Sequence, residues 1–231
     1  MRAYVLCGGF GTRLRSVIRD SQKAMVQVHG EPFLARVLQQ LAAAGIEEAV
    51  LCAHYRAEQI AEQLDALATD AGMALHMVVE AQPLGTGGAL LNALRERPVR
   101  ERYLALNADT FLEAHAYRLA AEAAGNALVA SRVDDRSRYG SLAVNPDGLL
   151  VALQEKGLTG PGLINAGVYA FTPEAFAASP VHACSLEQAL LPRLLARAPV
   201  AVVEYAGPFI DIGTPESLDR YTNVFQTVPP R

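Results

Sequence analysis

The sequence predicts an α/β fold: one domain built on a mixed, mostly parallel central sheet flanked by helices. Three observations carry that expectation. Through the first two thirds of the chain, short apolar or β-branched runs alternate with amphipathic segments, as when helices cross over between parallel strands. A hairpin signal then appears, so antiparallel strands join the sheet. Finally, 231 residues, 51% hydrophobic and 19% charged, are enough to bury one large core or two small ones, and the chain reads as one domain.

Strands are expected at 2–6, 49–53, 75–79, 103–107 and 127–132. Between the first two, Pro32 suits a first helical turn, Leu34, Val37, Leu38 and Leu41 make one stripe, and Gly45 ends the helix. The next helix carries Ile60, Leu64 and Leu67 on one face. Strands at 141–144 and 149–154 flank the turn Asn145-Pro146-Asp147-Gly148. An apolar run at 163–171 precedes a helix start at Thr172-Pro173, and Ser185 with Gln188 forms a capping box for a helix to about Ala196. A late strand follows at 200–205, and Thr214-Pro215, an N-cap with proline in the first turn, opens the last helix. There is no repeat, low-complexity tract or interdomain linker.

The formal net charge of −4 argues against a nucleic-acid binder, which needs surplus Lys and Arg for the phosphate backbone. With no basic-then-apolar leader and no apolar stretch of membrane-spanning length, a soluble, cytoplasmic protein is expected. Cys7, Cys52 and Cys184 lack zinc-site spacing and an even count, and read as reduced, small apolar residues. None of His29, His54, His76, His115 and His182 falls at metal-ligand spacing.

The first strand runs into Gly8-Gly9-Phe10-Gly11-Thr12-Arg13-Leu14-Arg15, where glycines let the backbone turn tightly and present N–H groups to phosphates. It is not a P-loop, which ends Gly-Lys-Ser/Thr, nor a dinucleotide fingerprint, which needs a third glycine where Leu14 stands. The second strand ends at Cys52-Ala53-His54 with no carboxylate for a ribose, so a dehydrogenase is disfavoured. With Ser21-Gln22-Lys23-Ala24-Met25, the loop resembles the signature of the sugar nucleotidyltransferase family, G-G-x-G-T-R-L followed by P-K-P-M. That resemblance implies a Rossmann-like, glycosyltransferase-A-like fold, with a nucleotide-binding half at about 1–132 and a sugar-phosphate half at about 133–231. It also implies that Arg13 contacts the departing phosphates and Lys23 the reacting ones. Gln22 and Ala24 replace the two prolines, keeping the charge but not proline's fixed backbone.

Further segments resemble the family's in the same order. Pro83-Leu84-Gly85-Thr86-Gly87-Gly88-Ala89 looks like the nucleoside-binding segment, where glycines allow backbone to approach a base; Leu6 and Gln82 join the nucleotide set by the same resemblance. Asn107-Ala108-Asp109 ends a strand with a carboxylate, where open α/β sheets place ligand chemistry. Tyr139-Gly140, Glu155-Lys156 and the run from Ile164 through Asn165 to Tyr169 resemble the segments around the sugar phosphate. Lys156 is thereby expected on that phosphate, and Asn107, Tyr139, Gly140, Glu155 and Asn165 around the sugar. Asp211-Ile212-Gly213-Thr214-Pro215 resembles the late D-x-G-T-P segment, whose aspartate shares a magnesium ion with the earlier one, here Asp109.

These residue types suit the chemistry. A sugar-phosphate dianion must approach a polyanionic triphosphate, so cations and positioning lower the barrier, and magnesium is commonly held by one or two carboxylates plus substrate phosphates. No protein nucleophile is needed. The wording of the two glycine segments is most similar to heptose 1-phosphate guanylyltransferases, implying GTP and a manno-configured heptose 1-phosphate as partners, with no nucleic acid or membrane. Uridylyl-, cytidylyl- and thymidylyltransferases share the first loop, and self-association is left open. So is a non-catalytic nucleotide-sugar binder, although retention of two aspartates and three candidate cations favours an enzyme. No hexapeptide repeat accompanies the core, which reads as standing alone.

Overall fold

The computed structural model describes residues 1–11, 14, 21–154 and 156–224. In chain order the strands are β1 (Arg2–Leu6), β2 (Gln27–Val28), β3 (Glu31–Pro32), β4 (Glu48–Ala53), β5 (Ala74–Val79), β6 (Tyr103–Asn107), β7 (Thr110–Phe111), β8 (Asn126–Val133), β9 (Ser141–Val144), β10 (Leu150–Gln154), β11 (Gly162–Phe171), β12 (Val200–Tyr205) and β13 (Ile210–Asp211). The helices are α1 (Phe33–Ala43), α2 (Ala57–Ala61), α3 (Leu64–Ala71), α4 (Gly85–Glu96), α5 (Ala114–Glu122), α6 (Leu191–Leu195) and α7 (Pro215–Val224).

Among the described residues, nine strands form one mixed sheet flanked by helices, in the order β10-β9-β11-β6-β1-β4-β5, with β8 joining β11 to β12. β6, β1, β4 and β5 are parallel, while β11 runs antiparallel to β6, β8 and β9. The parallel strands are apolar at nearly every position because each face meets its own core. Ala3 and Val5 join the core under α1 and α5, whereas Tyr4 joins the one beside α4 and α6. The same alternation recurs in β6, where Leu104 and Leu106 face one layer and Tyr103 and Ala105 the other.

Local signals hold where backbone chemistry is specific. Gly45, at φ +86°, ends α1: Gly45 N–H donates to the Ala42 carbonyl and Ile46 N–H to that of Leu41, the double bond of a left-handed glycine cap. Asn145 Oδ1 accepts from the N–H groups of Asp147 and Leu149 and fixes the β9–β10 turn.

Three local expectations change. The helix expected at Thr172-Pro173 is a single 3-10 turn, Pro173–Ala175. The Ile60–Leu67 stripe spans two helices, α2 and α3, broken at Gln63. Ser185 does cap, its Oγ accepting from Gln188 N–H at 3.1 Å, but the turn it opens (Leu186–Leu190) is π-helical before α6 begins. That wider turn is where the chain packs against the glycines of α4, described below.

Candidate functional site

Both candidate aspartates follow from the topology. β1 and β6 lie side by side with Leu6 opposite Asn107, so the glycine-rich loop and Asp109 leave neighbouring strands at their carboxyl ends. β13 pairs antiparallel with β7, setting Asp211 opposite Thr110, and Ile212 N–H donates to the Asp109 carbonyl at 2.9 Å. Two residues about a hundred positions apart in sequence are thus tied through adjacent backbone.

A cleft of about 920 Å³ opens above these strand ends. It is lined by Gly9, Gly11, Lys23, Thr86, Asn107 and Asp109, by Asp211 beside Asp109, and by Tyr139, Gly140, Lys156 and Asn165 from the strands beyond β6. A narrower pocket of about 280 Å³ shares Gly9, Lys23, Thr86, Asn107 and Asp109 with it and adds Leu6, Gly8 and Gly85. Thr12, Arg13 and Glu155 lie outside the described residues.

Lys23 stands where the two pockets meet, its Nζ 2.5 Å from Asp109 Oδ2. Burial works against charge on Asp109, but the Lys23 ammonium and the Thr110 hydroxyl outweigh it and hold the carboxyl below the usual aspartate range. Asp211 Oδ1 accepts from Gly213 N–H at 2.6 Å, and its Oδ2 lies 3.8 Å from an Arg138 guanidinium nitrogen. Asn107 packs against Gly167, whose φ of +73° and missing Cβ make room: a Cβ there would sit 2.6 Å from Asn107 Nδ2. Asn165 turns its Oδ1 to Gly167 N–H and donates through Nδ2 to the Tyr169 hydroxyl, which donates in turn to Glu187.

Two expectations about the second glycine segment are corrected. Gly87 and Gly88 do not line either pocket; they are buried against the chain at 182–186, with Gly87 N–H and Gly88 N–H donating to the Cys184 carbonyl. A Cβ on Gly88 would lie 2.5 Å from the His182 carbonyl oxygen, and one on Gly87 2.9 Å from backbone of Ser185 and Leu186. The missing side chains at these two positions admit the protein segment 182–186. Gln82 is exposed and lines a separate groove with Arg95 and Glu96, a groove that Glu80 also borders. We therefore expect Gly88→Ala to destabilise the fold by about 1–3 kcal/mol through overpacking, read from the urea unfolding midpoint; an unchanged midpoint would show that the 182–186 segment yields freely.

The residue pointing where Gln82 was expected is Glu80. It is 5% exposed and lines the narrow pocket, and its Oε2 accepts from Leu84 N–H at 2.8 Å. Burial pushes its carboxyl above the ordinary range, against the opposing pull of that N–H and of His54. The available signal was an acid directly after an apolar strand and before a glycine segment; attention to the second strand's end missed it on the third. Arg138, beside Tyr139, and Glu187, beside its cap Ser185, also line the cleft. Glu187 is met by hydroxyls of Thr86, Ser185 and Tyr169. Among the described residues no group of three or more His, Cys, Asp or Glu side chains gathers as a metal cluster, and no helix is long and apolar enough to cross a membrane.

A family profile described as nucleotidyl transferase matches residues 2–226. A D-glycero-alpha-D-manno-heptose 1-phosphate guanylyltransferase of Campylobacter jejuni is 34% identical over 220 residues, covering 94% of this chain and 96% of that protein. The crystal structure of HddC from Yersinia pseudotuberculosis superposes with a TM-score of 0.85 at 31% identity, covering 97% of this chain and 99% of that one. The same protein solved in complex with GMP-PN gives a TM-score of 0.84. A mannose-1-phosphate guanylyltransferase catalytic subunit beta of Drosophila pseudoobscura is 30% identical over 93% of this chain, which spans 60% of that relative's length.

Proposed function

Because the chain belongs to the nucleotidyl transferase family, we propose that it transfers the guanylyl group of GTP to a manno-configured heptose 1-phosphate, giving a GDP-sugar and pyrophosphate. An oxygen of the sugar phosphate attacks the α-phosphorus as the bond to the bridging oxygen of the β-phosphate breaks, and pyrophosphate leaves with that electron pair. Two anions must meet, so the chain's task is to hold them in line and offset their charge. Lys23, at the junction of the two pockets, is suited to the reacting phosphate. Lys156, in the far wall of the cleft with Asn165 and Gly140, is suited to the sugar phosphate. We assign Arg13 to the departing pyrophosphate on the resemblance of its loop.

Asp109 and Asp211 fit a magnesium ion. They are hard oxygen donors on adjacent backbone facing one cleft, and Asp109 is held ionised although burial opposes it. When bound, the ion supplies neutralisation of phosphate charge at the reacting centre. Supply of GTP points to the cytoplasm as the place of action, and a surface-polysaccharide assembly step is the natural consumer of a GDP-heptose.

The observation that carries the guanine assignment is Glu80. Guanine presents its N1–H and exocyclic amino group side by side, and a carboxylate accepts from both, whereas uracil and thymine present one N–H between two carbonyls and cytosine and adenine set their amino group beside an acceptor. Glu80 lies in the narrow pocket that the glycine loop and Gly85 share, so a base seated there meets its carboxylate. Guanine binding favours the charged form of a group whose free pKa is raised, so GTP affinity should fall on acidification, beginning above the ordinary glutamate value of about 4.3. Glu80→Gln should lose about tenfold or more in kcat/KM for GTP, its loss of preference over UTP, CTP and dTTP following from one mismatched hydrogen bond. Pyrophosphate release with the four triphosphates and a panel of sugar 1-phosphates tests the assignment; a preference for another base that survives in Glu80→Gln would refute it.

A further inference from the structure

The signature this chain resembles carries a proline on each side of its lysine, whereas here Gln22 and Ala24 flank Lys23. Gln22 is 1% exposed, so each of its polar groups needs a partner. The fold supplies one to each. Gln22 N–H donates to Gln59 Oε1 at 2.7 Å. Its own Oε1 accepts from Ala24 N–H and from Met25 N–H, the latter at 3.2 Å, capping the one-turn 3-10 helix Lys23–Met25. Its Nε2 donates to the carbonyl of Cys7, the residue between β1 and the glycine-rich loop. Four bonds from one residue therefore join the end of β1, the turn that carries Lys23, and α2.

The backbone of Gln22 stands at φ −64°, the angle a proline ring imposes, with an extended ψ of 132°. Here it is reached by hydrogen bonding, and it uses an N–H that proline lacks. We propose that Gln22 is a positioning residue: with its backbone N–H held by Gln59, its side chain clamps the Lys23 turn to the end of β1 and so holds the Lys23 ammonium at the junction of the two pockets. The inference rests on the reading of Lys23 as a contact of the reacting phosphate. A lysine reaches its target through a flexible four-carbon stem, so a fixed backbone origin is what limits where the ammonium can go. The clamp also makes proline a poor replacement in this chain. Proline at 22 keeps φ but strands the Cys7 carbonyl and the Ala24 N–H and removes the N–H that Gln59 Oε1 accepts from, while Met25 N–H keeps its bond to the backbone carbonyl at 22, so substitution toward the resembled signature should impair the protein.

The test measures kcat, both KM values and the unfolding midpoint for Gln22→Ala, Gln22→Pro and Gln59→Ala, each in the native and the Lys23→Ala background. In the native background, Gln22→Ala should lower kcat about tenfold or more, the scale of a lost buried hydrogen-bond set, with the sugar-phosphate KM unchanged. Gln22→Pro should also fall below the native chain, and Gln59→Ala should fall by a smaller factor. In the Lys23→Ala background each should cost less than about twofold, because the group they position is gone. Losses that multiply in that background, or a Gln22→Pro variant as active as the native chain, would overturn the clamp. A Lys23→Ala variant with native turnover would instead overturn the phosphate reading beneath it. Should Gln22→Ala not fold, the cycle between Gln59→Ala and Lys23→Ala decides, since Gln59 is only half-buried.

Discussion

Asp109→Asn should lower kcat by on the order of a thousandfold, and Asp211→Asn by a similar factor, with much smaller effects on either KM; this is the scale on which a metal ligand that offsets transition-state charge acts. The two carboxylates reach the same cleft from segments tied by the Ile212 N–H bond to the Asp109 carbonyl. If they hold one ion, either substitution already disables it, so the double variant should be little worse than each single one. Independent, multiplying losses would separate the two residues into different roles. Asp109→Asn has a further consequence, because Lys23 loses its counter-ion. The depressed Asp109 carboxyl contributes stability that is present above the ordinary unfolded value, about pH 3.9, and is lost as pH falls through the lower folded value. Urea unfolding of Asp109→Asn should therefore show a lower midpoint at neutral pH and a flatter acid limb than the native chain.

Lys156→Ala should raise the sugar-phosphate KM by about ten- to a hundredfold, the worth of a charge-assisted hydrogen bond, and leave the GTP KM near its native value. Lys156 lines the wall of the cleft opposite the glycine-rich loop, and it is absent from the narrow pocket where the base is assigned. Arg138 also lines the cleft, its Nη2 lying 3.3 Å from the Thr214 hydroxyl and 3.8 Å from Asp211 Oδ2, and can offset part of the charge. Steady-state kinetics with each substrate varied in turn separates the cases. A weakened GTP dependence with an unchanged sugar-phosphate dependence would mean that the two walls do not divide the substrates as proposed.

The parallel strands were legible because buried strands in this architecture are apolar at consecutive positions, and β1, β4 and β6 announce themselves that way. The turn residues were legible for local reasons, as at Gly45 and Asn145. What the chain does over long separations was not. Whether Glu80 or Gln82 faces the pocket depends on how the chain turns after β5, and both are polar residues in the same short loop. Gly87 and Gly88 carry the composition of a ligand cradle, yet the segment they accommodate is nearly a hundred residues further along the chain. Likewise, Lys23 and Asp109 were assigned to phosphate and metal separately, and nothing local to either shows that each is the other's counter-ion. Gln22 read as the loss of a proline, because four hydrogen bonds to partners up to Gln59 appear only when the chain is folded.

The central claim is that one cleft joins GTP to a sugar 1-phosphate directly. Incubation of the protein with GTP, magnesium and a manno-configured heptose 1-phosphate, followed by quantification of pyrophosphate and GDP-heptose together, tests it most directly. The account predicts the two products in equal amounts, with no pyrophosphate released when the sugar phosphate is omitted. Release of pyrophosphate without the sugar phosphate, or binding of GTP with no nucleotide sugar formed from any member of the sugar panel, would contradict it.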